Sequence, residues 1–346
     1  MHMADALISP LVGATMWATT AGLIGYSAKK LKDEADDRKI PLMGVLGAFI
    51  FAAQMINFTI PATGSSGHLG GGMILAILLG PYAAFLVMAS VLTVQAFFFA
   101  DGGLLALGCN IFNLGFFPCF LAYPFIYKKI AGENPTQAKI ATGGIIAAIV
   151  GLQLGAFAVV LETVFSGISE LPFQTFVLLM QPIHMGIGIV EGLISAAVVS
   201  FVWKARPEIL NSAQGVASIV KVDMKKLLLG VLIVTLITGG ALSWFASSNP
   251  DGLEWSMFRT SGKEELETSE KVHASLANVQ GKTAFLPDYG FKKSEPKPEA
   301  SESPTWPAVD PGTSVSGLIG GFLTLVLAVL IGIVLKRRKI KSLPER

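Results

Sequence analysis

The chain has 346 residues, of which 52% are hydrophobic and only 14% charged, and its mean hydropathy is +0.61. A soluble domain carries about 25% charged residues, so the composition excludes one and points to an all-α integral membrane protein crossing the lipid bilayer many times. The net charge of +2 gives no reason to expect a nucleic-acid partner, because the basic residues stand in short clusters between apolar runs.

Residues 1–8 precede the first apolar run. Ser9-Pro10 reads as an N-cap followed by proline at the first helical position. The helix is predicted to reach about Ala28, a rise of about 28 Å, one bilayer core. No basic residue precedes it, whereas Lys29, Lys30 and Lys32 follow it. The positive-inside rule therefore puts the N-terminus outside and residues 29–39 in the cytoplasm. A second span is expected at 41–60, and the Gly/Ser-rich loop 62–72 follows it outside. A short third span at 70–80 is divided by Gly80-Pro81 from a fourth at 81–100, and the break leaves open whether 70–100 holds one span or two. After an outer turn at Asp101-Gly102-Gly103 come a fifth span at 105–127, ending inside at Lys128-Lys129, and a sixth at 138–162. An outer loop with Glu162 and Glu170 leads to a seventh at 173–203, ending inside at Lys204 and Arg206.

Residues 206–226 read as a cytoplasmic linker and 227–246 as an eighth span. The polar segment 247–312 is predicted outside, and its stretch FKKSEPKPEASESP has the composition of a disordered linker. A ninth span at 313–335 ends in KRRKIK, so the C-terminus is cytoplasmic. The expected organisation is a seven-helix domain (1–205), the linker (206–226) and a two-helix module (227–346) with its extracellular insert.

The first residues carry the main chemical signal. A free α-amine, the amide nitrogen of residue 2 and Nδ1 of His2 close two small chelate rings around one ion, leaving one in-plane position open. Such a planar nitrogen set suits Ni(II) or Cu(II). His68, predicted on the same outer side in a loop of small residues, is the natural fourth donor. The candidate metal site is therefore Met1, His2 and His68. His184 and Glu191 lie seven residues apart on one face of the seventh span. Intramembrane ionisable residues are functional candidates, and this pair reads either as a hydrogen-bonded core contact or as a group beside the site or its access path. A membrane-embedded enzyme built on them is a rival reading, although no nucleophile accompanies them. His273, in the charged stretch KEELETSEKVHASL, reads as solvated. Cys109 and Cys119 read as buried free thiols. The spacing Ala14-xxx-Ala18-xxx-Gly22 permits close helix packing, within the chain or against a partner membrane protein. There is no GxxxxGK[ST], HExxH, CxxC or DxDxDG pattern, so ATP hydrolysis through a P-loop is not this chain's own work.

Four stretches, MHMADALISP, TGSSGHLGGG, FFADGGLLALGCNIFNLG and PIHMGIGIVEGLISA, resemble, in order, the nickel/cobalt substrate-capture (S) components of energy-coupling factor transporters, over about residues 1–205. SNPDGLEWS, just beyond the eighth span, resembles the PDGLE motif of the small two-span accessory subunit of these transporters, here fused. The resemblance implies a metal held by the amine of Met1, the amide and imidazole of His2, and His68. It implies a non-enzymatic component of a prokaryotic cell (inner) membrane, working with a transmembrane scaffold subunit and cytosolic ATPase subunits. The transported ion, Ni(II) or Co(II), is substrate and no organic cofactor is implied. MHMADALIS looks more like the nickel branch, with cobalt the alternative.

Overall fold

The computed structural model describes residues 2–34, 39–132, 135–169, 171–213, 224–263, 266, 271–292 and 306–340. Met1 and Glu170 lie outside the described residues, as do 214–223 of the linker. Helix α1 (Pro10–Glu34) begins as its cap predicts: Ser9 Oγ accepts the N–H of Val12 at 3.4 Å and the Ser9 carbonyl that of Gly13 at 2.9 Å. It runs past Ala28 because Lys29, Lys30, Leu31 and Lys32 are good helix formers. Its small-residue stripe does not pack inside the chain: Ala14, Ala18 and Gly22 are exposed. The helix packs instead through Gly13, Thr20 and Ser27, with Thr20 Oγ1 donating to Gly108 O at 2.8 Å.

Helix α2 (Lys39–Gln54) is buried over most of its length. The loop after it is more ordered than its composition implies. Strands β1 (Phe58–Ile60) and β2 (Ser65–Gly67) pair antiparallel, Phe58 opposite Gly67 and Ile60 opposite Ser65. Helix α3 (Gly72–Leu79) is wholly buried but only eight residues long. At about 12 Å it falls well short of a hydrocarbon core of about 30 Å, so the predicted third span does not cross by itself. Gly80, in the left-handed half of φ at 81°, turns the chain into α4 (Pro81–Val94), which continues as π-type turns over Gln95–Phe99.

Helix α5 (Leu107–Ile111) opens a long helical run, widening into π-type turns over Phe112–Tyr127 and closing as α6 (Lys128–Ala131). Pro118 and Pro124 lie in the wide turns; proline has no N–H and its ring collides with the carbonyl four residues back, which wider turns absorb. Helices α7 (Gln137–Ser166) and α8 (Phe173–Ala205) pack through Gly188 and Gly192 against Ile149 and Ile145. Helix α9 (Pro207–Ala213) starts the linker.

Helices α10 (Lys225–Gly240) and α13 (Pro311–Ile340) touch at Gly239 and Gly317, and α13 lies against α2, Gly320 over the Phe51 ring. The polar segment between them is not plain linker: it forms α11 (Gly252–Ser261) and α12 (Lys271–Thr283), while 293–304 of its Lys/Glu/Pro-rich stretch lie outside the described residues. Among the described residues five helices are long and apolar enough to span a membrane: Pro81–Phe99, Leu107–Ala131, Gln137–Ser166, Phe173–Ala205 and Pro311–Arg337. The molecule is a mostly helical, multi-pass membrane protein.

Candidate metal centre

The N-terminal strap lies inside the helical body. Met3, Leu7 and Ile8 are fully buried. Asn110 grips Met3 from both sides: the Met3 N–H donates to Asn110 Oδ1 at 2.8 Å, and Asn110 Nδ2 donates to the Met3 carbonyl at 3.2 Å. Gly103 N–H adds a second donor to that carbonyl at 2.9 Å. Asp5 Oδ1 accepts from Ala106 N–H at 2.9 Å. Burying this strap requires that its backbone groups find partners; a 3-10 turn over Asp5–Leu7 supplies some of them and the Asp101–Asn110 region others.

These contacts bring His2 onto His68. The rings are 4.9 Å apart between centroids and stacked at 20°. Burial pushes both imidazoles down to about 3, so both are neutral near pH 7 and each carries one N–H and one lone pair. The partners assign which is which. His2 Nε2 lies 3.1 Å from Gln95 Oε1, an acceptor, because Gln95 Nε2 donates to Gln54 Oε1 at 2.9 Å. Gln54 Nε2 in turn donates to the carbonyl of Gly70 at 2.8 Å. This amide relay places the His2 proton on Nε2 and leaves the Nδ1 lone pair 3.3 Å from Asp101 Oδ1. Two electron-rich atoms then face each other, an arrangement that calls for a proton or a cation between them. His68 Nδ1 lies 3.1 Å from the Leu69 carbonyl, which leaves the lone pair on Nε2. Such outer hydrogen bonds are how proteins fix the tautomer of a ligating histidine.

The His68 loop is held from two sides. From α8, Glu191 accepts the N–H groups of Gly70 and Gly71 at 2.9 and 3.0 Å, one on each oxygen. Glu191 and His184 therefore do not pair with each other. His184 Nδ1 meets the Met180 carbonyl at 2.8 Å and its Nε2 has no partner among the described residues. From the other side the PDGLE stretch docks on the hairpin. Ser66 donates its N–H to the Pro250 carbonyl at 2.8 Å and its hydroxyl to the Asn249 carbonyl at 2.8 Å. Trp255 Nε1 donates to the Thr63 carbonyl at 3.0 Å. Beneath lies a cavity of about 10 Å³ lined by His68, His184, Asp251, Gly67, Gly70 and Gly252 among others, close to the room one water needs.

His273 is not solvated. It is 3% exposed and its Nε2 lies 2.9 Å from the Ile8 carbonyl. Helix α12 covers the N-terminal strap: Gln280 Nε2 donates to the carbonyls of Ala96 and Gly102 at 2.9 and 2.7 Å, and the Tyr289 hydroxyl donates to Asp101 Oδ2. Charge-rich composition conceals this buried face. Glu162, expected at an outer helix end, is also buried and accepts from Asn113 Nδ2 at 2.7 Å. Cys109 and Cys119 are buried free thiols.

Among the described residues no three His, Cys, Asp or Glu side chains converge to hold a metal. The donor set read from the sequence needs only two side chains; its other nitrogens are main-chain groups of residues 1 and 2, and Met1 lies outside the described residues. Sequence reasoning missed Gln54, Gln95 and Asn110, each a polar amide in a long apolar run, and that isolation was their signal.

Residues 2–209 match the family described as the cobalt uptake substrate-specific transmembrane region, and residues 225–337 match the PDGLE domain. A putative fused nickel transport protein NikMN of Archaeoglobus fulgidus is 30% identical over 94% of this chain and 96% of its own length. The fused nickel transport protein NikMN of Rhodobacter capsulatus is 28% identical over 97% and 94%. The cobalt transport protein CbiM of Sorangium cellulosum is 28% identical over 62% of this chain and 96% of its own length. A crystal structure of a truncated transition metal transporter superposes with a TM-score of 0.52 at 30% identity, covering 59% of this chain and 99% of that one. This chain therefore belongs to the CbiM family and carries a PDGLE domain in the same polypeptide, which makes it a nickel/cobalt-class metal transport component rather than an enzyme.

Proposed function

We propose that this chain captures Ni(II) outside a prokaryotic cell membrane and carries it as the substrate-binding component of an energy-coupling factor transporter. The ion is held by the amine of Met1, the amide nitrogen and Nδ1 of His2, and Nε2 of His68. The observation that carries the reading is the His2–His68 pair, buried and stacked, with the proton of each ring assigned by its hydrogen-bond partner to the nitrogen that does not take the metal. Because burial already keeps both rings neutral, binding near pH 7 displaces protons from the amine, the amide and the gap between His2 Nδ1 and Asp101 rather than from an imidazolium. A deprotonated amide in a planar field favours Ni(II), and relatives named for nickel transport align over nearly the whole chain. Co(II) is the second reading, favoured by the cobalt transport relative.

A transmembrane scaffold subunit and two cytosolic ATPase subunits then drive transport. The exposed Ala14, Ala18 and Gly22 face of α1 supports a docking surface for the scaffold. The N-terminus is outside and the C-terminus cytoplasmic. The domains are 1–205, the linker 206–226 and the PDGLE module 227–346, a division supported by the two family matches on either side of the linker.

The test is a Ni(II) titration of the full chain in detergent. His2→Ala and His68→Ala each abolish tight binding, and so does one extra residue ahead of Met1. Unchanged affinity in either histidine variant defeats the site. X-ray absorption on protein loaded from a Ni(II)/Co(II) mixture decides the ion.

A further inference from the structure

We propose that Asp251 is the group through which the PDGLE module acts on the metal, a carboxylate that takes the incoming divalent ion first and passes it to the nitrogens of residues 1, 2 and 68. This rests on the capture reading above.

Three independent devices place that carboxylate. The first is a capping box at the start of α11. Asp251 Oδ1 accepts the N–H groups of Leu253 and Glu254 at 2.8 and 2.9 Å, and Glu254 Oε2 accepts the Asp251 N–H at 2.9 Å. The second is Gly252, which brings the turn flat onto α8. A Cβ at that position would stand 2.6 Å from Ile183 Cγ2 and 3.2 Å from His184 Cε1, so only glycine permits the approach. The third is the pair of bonds from Ser66 to the carbonyls of Asn249 and Pro250, immediately before Asp251 in the chain and two residues before His68.

The result is a carboxyl group in the wall of the cavity it shares with His68 and His184. Asp251 is only half-buried, so it lines the site and still meets the outside.

A helix cap alone needs none of the last two devices. A carboxylate is a hard oxygen donor of the kind that suits magnesium, calcium and manganese, whereas imidazole suits nickel and its neighbours. An oxygen ligand at the edge of a nitrogen site therefore attracts the ion without competing for it at equilibrium.

Asparagine and serine cap helices about as well as aspartate, so Asp251→Asn and Asp251→Ser remove the anionic oxygen and keep α11. Ni(II) is mixed rapidly with the full chain in detergent, and metal-ligand absorption is followed in time and at equilibrium. Both variants are expected to load about tenfold or more slowly, since removing a steering charge acts on the association rate, with wild-type thermal unfolding and an equilibrium affinity within about threefold of wild type. Wild-type loading rates in both variants overturn the proposal and leave Asp251 as a cap. An affinity loss as large as that of His68→Ala overturns it too, because Asp251 is then a permanent ligand. His68→Ala, measured alongside, fails separately: if it binds Ni(II) as tightly as wild type, the capture reading falls whatever Asp251 does.

Discussion

The two sides of the His68 loop are built differently. On the inner side a buried glutamate of α8, Glu191, takes two successive backbone N–H groups, one on each oxygen. On the outer side the PDGLE stretch offers main-chain carbonyls of Asn249 and Pro250 to a single serine. The inner grip belongs to the helix bundle and has no solvent to replace it. The outer grip comes from a separate module whose partners sit nearer water. A buried donor left without its acceptor bears the full desolvation cost, whereas the half-buried carbonyls of Asn249 and Pro250 can turn to water if they lose Ser66. The difference teaches that the inner contact sets the loop's shape and the outer one adjusts it.

The largest expected effect follows from breaking the inner grip. Glu191→Ala leaves two buried N–H groups unpaired, at about 1–3 kcal/mol each, and Ni(II) affinity should fall about a hundredfold or more. Isothermal titration in detergent measures it, and an affinity within threefold of wild type would mean that Glu191 does not shape the site. Next is the relay that joins the loop to the strap. Gln95→Leu removes the acceptor that holds the His2 proton on Nε2, and loss of such a partner costs about 10–100-fold in metal affinity.

Acid should act on the strap and the loop together. Both rings stand at about 3 in the folded protein against about 6.5 unfolded. The unfolded chain therefore binds more protons between those values, and the stability is present above pH 6.5 and is lost as pH falls toward 3. The slope is of the order of 1 kcal/mol per pH unit for each ring. Melting curves at pH 7.5 and 5.0 test it, and His68→Ala should flatten the dependence. The smallest effect belongs to the outer grip: Ser66→Ala keeps the backbone bond to Pro250, loses the hydroxyl bond to Asn249, and should cost about 1 kcal/mol or less. A loss matching Glu191→Ala would erase the distinction between the two sides.

Much was legible in the sequence. Apolar runs and lysine clusters located the helices, because transfer of a segment into lipid depends on its own composition. His2 stood out because its chelate partners are its chain neighbours, and His68 because a glycine-rich loop after an apolar run lets a backbone fold inward. The eight-residue length of α3, the burial of His273 against Ile8, the Gln54–Gln95 relay and the arrival of Asp251 beside His68 were decided only by the tertiary structure. Each depends on partners many positions away in the chain, such as 265 residues for His273 and Ile8. Hydropathy records which segments leave water, and has no term for the neighbour a polar group meets once it is there.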